Sequence, residues 1–294
     1  MTDALSAPPP IEGRAVPSPP LLAAPLLAAK EYGAPSVFQA QNLLREARRQ
    51  KQLLEAPVPP ICLLDPDGDV VRRLSEGGRG ERSPGWACYH TELVEFRHGG
   101  RRMGAVGRAV GAAFAVLVAE QLFASGCELL VSVTSAGRVA PTPPDARFML
   151  IDRALRDEGT SYHYVAPAMF SWLDPALGEA VGTALMQCGR RVARGGTWTT
   201  DAPFRETEAA IARARGLGLI GVEMEAAALY AFAAARGRPV VCFAHLTNEL
   251  AQVAGDFEKG EDEGLQDVLA ILAACGVAWE ALGSGFKQWK QEER

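Results

Sequence analysis

The sequence predicts an α/β fold: a single domain with a central mixed, partly parallel sheet flanked by helices. Three observations lead there. Apolar runs of strand length such as "PICLL", "CELLVSV" and "PVVCFAHL" alternate with helix-period segments along the chain. These runs are apolar throughout rather than alternating, as strands covered on both faces are. The 294 residues are 48% hydrophobic, enough for a substantial core.

In chain order, residues 1–35 hold many of the 20 prolines and show little periodicity, so an extended or disordered lead-in is expected before a domain over 36–285 and a polar tail over 286–294. Residues 36–54 place apolar and charged residues at helical spacing behind Ser36, a candidate cap. "PICLLDPDGD" (60–69) reads as a buried strand running into an acidic turn, and 90–110 as two strands about a Gly-Gly turn. The small-residue helix at 111–126 ends at Gly126, and the strand at 127–137 ends in a Ser/Gly turn. "ARFMLIDRAL" suggests a strand, 175–188 a helix, 191–203 strand and loop, and 207–218 a helix. "VEMEAAALYAFAAARG" (222–237) fits an Ala-rich helix closed by Gly237, followed by the strand 239–246 and a final helix at about 262–274.

Composition narrows the function classes. A net charge of −5 leaves no basic footprint for nucleic acid, and the run 45–51 reads as a solvated helix face. The Leu/Ala stretch at 21–29 is short and broken by proline, so neither membrane insertion nor secretion is expected, and the chain reads as cytoplasmic. The six cysteines are scattered without C-x-x-C spacing, which suggests reduced thiols and no metal site. Ligands in such folds collect at carboxyl ends of strands, here "TSAG", "TTDAP" and "HLTN". Glu223 and Glu225 stand in an apolar run almost devoid of Lys and Arg. Favourable acids at a helix N-terminus and a carboxylate serving a ligand are both consistent with that position.

"GVEMEAAALYAFA" (221–233) resembles the signature of the nucleoside phosphorylase superfamily: hexameric purine nucleoside phosphorylases, uridine phosphorylases and methylthioadenosine/S-adenosylhomocysteine nucleosidases. "TSAGRVAP" (134–141) resembles their Gly-Ser-x-Gly-x-x-x-Pro turn and "TTDAPFRET" (199–207) their base loop, with gapless spacing from Asp201 to Glu225. The likeness covers about 60–285. It implies cleavage of a nucleoside's N-glycosidic bond, Glu225 gripping the ribose hydroxyls, Met224 forming the wall under the sugar and Glu223 a supporting acid. An anion beside an oxocarbenium-like sugar is stabilised more in the transition state than in the ground state.

The resemblance further assigns Ser135, Gly137 and Arg138 to the phosphate or water site, with Arg72, Arg73 and Arg108 as other candidate anion clamps. The family's phosphate-binding Arg is replaced by Ser132, the first Gly of its turn by Thr134, and the N-terminal phosphate loop keeps only Asp65 and Pro66. Laid over the nucleosidases, "ICLLDPDGDVV" puts Asp69 at the catalytic-base position with Asp67 as a nearby substitute; an ordinary acidic turn is the other reading. Asn248 stands where purine-specific members carry a proton-donating Asp, which favours a 6-oxopurine or pyrimidine over adenine. Pro203 occupies the place of the stacking aromatic, leaving Trp198 and Phe204 as stacking candidates, each also compatible with a core, and Arg205 as a partner for a base carbonyl. His245 on an apolar strand reads as core. No metal or organic cofactor is expected, phosphate being the co-substrate of a phosphorylase, and a homo-oligomer, dimer or hexamer, is implied. Phosphorolysis is the leading expectation, with hydrolysis by water and a binding protein of weakened catalysis as alternatives.

Overall fold

The computed structural model describes residues 24–142, 147–190, 192–250, 255–257 and 259–292, with the side chains of 284–292 excepted. Most of the Pro-rich lead-in lies outside the described residues. After it, α1 (Ala40–Lys51) begins at Gln39 without a side-chain cap, so Ser36 does not serve as one.

The strand β1 (Ile61–Asp65) is buried at every residue and passes through a tight turn into α2 (Asp69–Glu76), a helix that the acidic-turn reading did not foresee. The short β2 (Gly80–Arg82) leads to the hairpin of β3 (Leu93–His98) and β4 (Arg101–Gly107). Its turn has φ of 55° at Gly99 and 77° at Gly100. Positive φ at both central residues suits the twist of a two-residue hairpin and is easiest for glycine. Next come α3 (Ala112–Ala124), β5 (Leu129–Arg138), β6 (Phe148–Asp157), β7 (Phe170–Trp172) and α4 (Pro175–Gln187). The chain continues through β8 (Ala193–Thr200), α5 (Glu208–Gly216), β9 (Leu219–Glu223), α6 (Ala226–Arg236), β10 (Val240–Asn248) and α7 (Leu265–Glu292).

The strands form one mixed sheet in the order β10-β6-β8-β9-β5-β1-β4-β3-β2, with β7 on β6, and β10 pairs back onto β5. The strands β5, β10, β6, β8 and β9 therefore close into a ring. Closure depends on the length of β5. Its first half runs parallel to β1 and residues 130–137 run parallel to β10, while Gly137 and Arg138 at its tip pair antiparallel with Val222 and Gly221 of β9. One rim of the ring consequently gathers Thr134 and Ser135 of β5, Glu223 of β9 and Asn248 of β10.

The main core lies between this sheet and α3, α4, α6 and α7, and a second cluster under α5 contains Trp198, Leu219 and Val222. The segment Glu261–Gly283 is long and apolar enough to cross a membrane by length and composition, but its residues Leu269, Leu272, Ala274 and Cys275 are fully buried against the domain. It is a core helix of this fold. The segment read as one helix over 222–237 is instead the end of a strand, a two-residue turn and a helix. Burial of Leu219, Val222 and Glu223 on both sides of β9 outweighs the helical propensity of the Ala run.

The α6 helix is pinned through Tyr230, whose hydroxyl donates to the Ile151 carbonyl at 2.6 Å and accepts from the Cys242 N–H at 3.0 Å. Removing that hydroxyl strands two buried backbone groups, so Tyr230→Phe is expected to lower unfolding stability by about 1–3 kcal/mol. Urea unfolding measures this; an unchanged midpoint contradicts the role given to the hydroxyl.

Candidate active site

The pair Glu223 and Glu225 flanks the turn from β9 into α6, and both residues are buried, at 3% and 1% exposure. Their roles divide by donors. The Oε2 of Glu223 accepts the backbone N–H groups of Glu225 and Ala226, both at 2.7 Å, and its Oε1 accepts the hydroxyls of Thr197, at 3.0 Å, and Thr199. Four donors satisfy this carboxylate, which caps α6 from the preceding strand and favours the helix N-terminus electrostatically. It is turned inward, toward β8 and the start of α6.

The carboxyl of Glu225 has two protein donors: the Gly111 N–H to Oε1 at 2.6 Å and, on Oε2, the Thr134 hydroxyl at 2.8 Å. Burial, reinforced by the neighbouring Glu223 charge, pushes its pKa up to about 8. Burial raises Glu223 as well, against the pull of its four hydrogen bonds, and of the two it is Glu225 that keeps the proton near neutral pH.

One residue along β5, the turn of Ser135 is already engaged. Its N–H at 3.2 Å and its hydroxyl at 2.5 Å both donate to Oδ2 of Asp67, on the loop after β1, and the ammonium of Lys259 donates to the same oxygen at 3.0 Å. These three bonds converge on Oδ2, and Oδ1 carries none of them. Lys259 also bonds Asp69, and the Asp69 carboxyl is held below its ordinary range because Lys259 and Arg72 outweigh the effect of its partial burial. The loop itself is fixed by Asp65, whose buried carboxylate accepts the Val71 N–H at 3.0 Å and whose carbonyl accepts the N–H groups of Gly68 and Arg108. Burial pushes Asp65 up to about 7.

The other expected positions divide sharply. Asn248 pairs with Gly137 in the β5–β10 register, with its Oδ1 accepting the Leu250 N–H at 2.8 Å and its Nδ2 donating to Thr247 at 3.0 Å. A Cβ on Gly137 would stand 2.6 Å from Leu250 and 3.2 Å from that amide oxygen, so glycine is what lets both lie against β5. Met224 is half-buried between the two acids. Asp69 stands in the first turn of α2, tied to Lys259 and Arg72, and it is Asp67 rather than Asp69 that reaches Ser135. Arg138 is directed away, to Glu249 at 3.2 Å and the Leu246 carbonyl at 3.3 Å. Trp198 is a core residue of the α5 side, buried with its indole N–H donating to Asp157 at 2.9 Å, the core placement being one of the two its sequence position allowed.

Phe204 and Arg205 lie on an exposed 3-10 turn, Phe204 at 99% exposure. Arg72 and Arg73 pair with Glu263. His245 stacks on Phe148 with centroids 4.2 Å apart and is pushed down to about 4 by burial, as a core histidine is. Sequence reasoning missed Gly111, Thr134 as the partner of Glu225, and Lys259. The last is the lone cation in the acidic run 256–263, which is the one trace of it in the sequence. Among the described residues, no three His, Cys, Asp or Glu side chains are arranged to hold a metal.

Comparison with known proteins bears on the family and the fold. The family model described as the phosphorylase superfamily matches residues 60–282, in agreement with the resemblance carried by "GVEMEAAALYAFA". The fold matches a uridine phosphorylase from Vibrio fischeri ES114 complexed with 6-hydroxy-1-naphthoic acid, with a TM-score of 0.65 and 18% identity over 79% of this chain and 99% of that one. A purine nucleoside phosphorylase from Toxoplasma gondii in complex with immucillin-H matches with a TM-score of 0.64 and 13% identity, over 76% of this chain and 93% of that one. A search of curated proteins finds no match.

The protonated Glu225 has a thermodynamic signature. Its folded pKa of about 8 lies above the ordinary 4.5, so the stability it contributes is fully present below pH 4.5 and is lost as pH rises through about 8. The melting temperature is expected to fall across this window, and Glu225→Gln to remove this residue's share of the fall, while the share of Asp65, which titrates near 7, remains in both proteins. Calorimetry against pH tests it: parallel wild-type and Glu225→Gln profiles between pH 7 and 9 contradict the assignment.

Proposed function

This chain belongs to the phosphorylase superfamily, and from that membership we propose that it cleaves the N-glycosidic bond of a nucleoside bearing a 6-oxopurine or pyrimidine base, with water as the acceptor. The observation that carries the choice of acceptor is the Asp67 carboxylate docked on the Ser135 N–H and hydroxyl. The chain's own anion occupies the donors that an incoming phosphate would need, and its charge opposes a second anion there. A water held at the free Oδ1 has a general base beside it, within a turn that already orients that base.

In this reading the sugar lies between Asp67 and Glu225. The Glu225 carboxyl, beside the sugar in a site that excludes water, stabilises the positive charge that develops on the oxocarbenium-like sugar. Glu223 acts through Glu225 by fixing the turn that presents it. The amide of Asn248, with one N–H and one lone pair beyond its internal bonds, meets a ring N–H and carbonyl of the base. No metal or organic cofactor enters this scheme.

Phosphorolysis is the second reading, and Lys259 favours it. A phosphate displacing Asp67 meets the Ser135 N–H, its hydroxyl and an ammonium together. A homo-oligomer is part of the proposal, supported by the fully exposed Phe204 on the expected base loop, a surface that a second copy can cover.

The test is a panel of purine and pyrimidine nucleosides incubated with and without phosphate, scoring free base and either ribose or ribose 1-phosphate. Base and ribose released without phosphate support hydrolysis; release that requires phosphate transfers the assignment to phosphorolysis. Binding without any release points to a nucleoside-binding protein. For the hydrolase, Asp67→Asn keeps the hydrogen bonds to Ser135 but removes the base, and a loss of roughly 10²–10⁴-fold in kcat is expected. Glu225→Ala is expected to lose at least roughly 10²-fold.

A further inference from the structure

One of the three donors on Asp67 Oδ2 comes from 192 positions away in sequence, the ammonium of Lys259. The segment 259–264 that carries it lies against the acidic loop and the first turns of α2, fastened by charges of both signs. Lys259 bonds Asp67 and Asp69, Asp262 pairs with Arg73 at 3.4 Å, and Glu263 pairs with both Arg72 and Arg73. All of these side chains are partly buried, so the pairs form one network rather than isolated surface contacts.

The backbone of the segment is fixed by the same seat. Its φ is positive at Gly260, Asp262, Glu263 and Gly264, a conformation that persists at non-glycine residues where the surroundings over-determine it. A Cβ on Gly264 would stand 2.9 Å from His245 and 3.3 Å from Phe148, so glycine lets the segment press onto β10 and β6. Burial works against the charge of Lys259, but its bonds to Asp69 and Asp67 prevail and raise the group above its ordinary range. The ammonium is therefore present throughout the neutral range.

The consequence falls on Asp67. Two donors from Ser135 fix where Oδ2 sits. A third donor from a separate element limits how the carboxylate plane turns about that oxygen, and therefore where Oδ1 points.

We propose that Lys259 is a positioning residue for the reaction, orienting the Asp67 carboxylate so that Oδ1 faces the attacking water, and that the segment 259–264 is the strap that delivers it. The role rests on the hydrolytic reading above. In it Lys259 touches neither the sugar nor the water and acts through Asp67.

The experiment measures kcat and KM for inosine and uridine without phosphate in the wild type, Lys259→Met and Lys259→Arg, and repeats Lys259→Met in the Asp67→Asn background. Lys259→Met is expected to lose roughly 10–10²-fold in kcat with KM within about threefold, because misorienting a reacting group costs rate rather than binding. Lys259→Arg, which still offers charged donors to both aspartates, is expected to stay within about fivefold of the wild type. In Asp67→Asn, followed with enzyme in excess over hours so that slow turnover registers, Lys259→Met is expected to change kcat by less than about threefold, since no base is left to orient. If Lys259→Met does not fold, Lys259→Gln, which keeps a donor without the charge, takes its place. A full further loss in the Asp67→Asn background, a kcat indifferent to loss of the ammonium, or a loss carried by KM alone overturns the role of Lys259 and leaves the hydrolytic reading standing. A wild type that releases no base, or releases it only with phosphate, overturns the hydrolytic reading itself.

Discussion

Two carboxyl groups two residues apart, both sealed from water, are the constraint around which this fold is arranged. A buried charge is stable only with hydrogen bonds or a proton, and the structure uses one remedy for each acid. Glu223 takes four donors, two from the first turn of α6 and two from hydroxyls of β8. Glu225 takes two donors and a proton. Because the donors come from β5, β8, the turn before α3 and the start of α6, satisfying these acids requires that those elements meet at one point.

Ring closure provides that meeting. A β5 of ten residues is long enough to pair with β1 at its base, with β10 along most of its length and with β9 at its tip, so two strands that run oppositely are both stitched to it. A shorter β5 would leave β9 paired with β8 alone and the ring open beside the turn that carries Glu223 and Glu225. The acidic loop after β1 reaches the same rim because β1 lies beside β5, which brings Asp67 to Ser135 across 68 positions of sequence. The chemistry thus depends on sheet order as much as on residue type.

Much of the fold was legible in the sequence for local reasons. Continuous apolar runs identify β1, β5 and β10 as buried strands, and Gly-Gly marks the β3–β4 hairpin through a backbone conformation that other residues resist. The α6 boundary was misread because "VEMEAAALYA" has helical propensity throughout; a strand end there is imposed by pairing with β8, which no local pattern displays. For a related reason, the sequence leaves open whether Trp198 is core or lines the site. Alternation along a strand says that neighbours face opposite sides, yet it does not say which side is core. In β8 that inward side faces α5, and Trp198 is buried there.

By itself the sequence determined the α/β class, the order of most elements, the family and the importance of Glu225, because these follow from periodicity and from a contiguous motif. Only the tertiary structure decided which of the two glutamates caps a helix and which faces the site, that Asp67 rather than Asp69 holds Ser135, and that Thr134 and Lys259 belong to the same cluster. Each of these is a contact between residues tens to nearly two hundred positions apart. Hydrogen bonds reach about 3 Å, and only the folded sheet says which distant groups come within that reach.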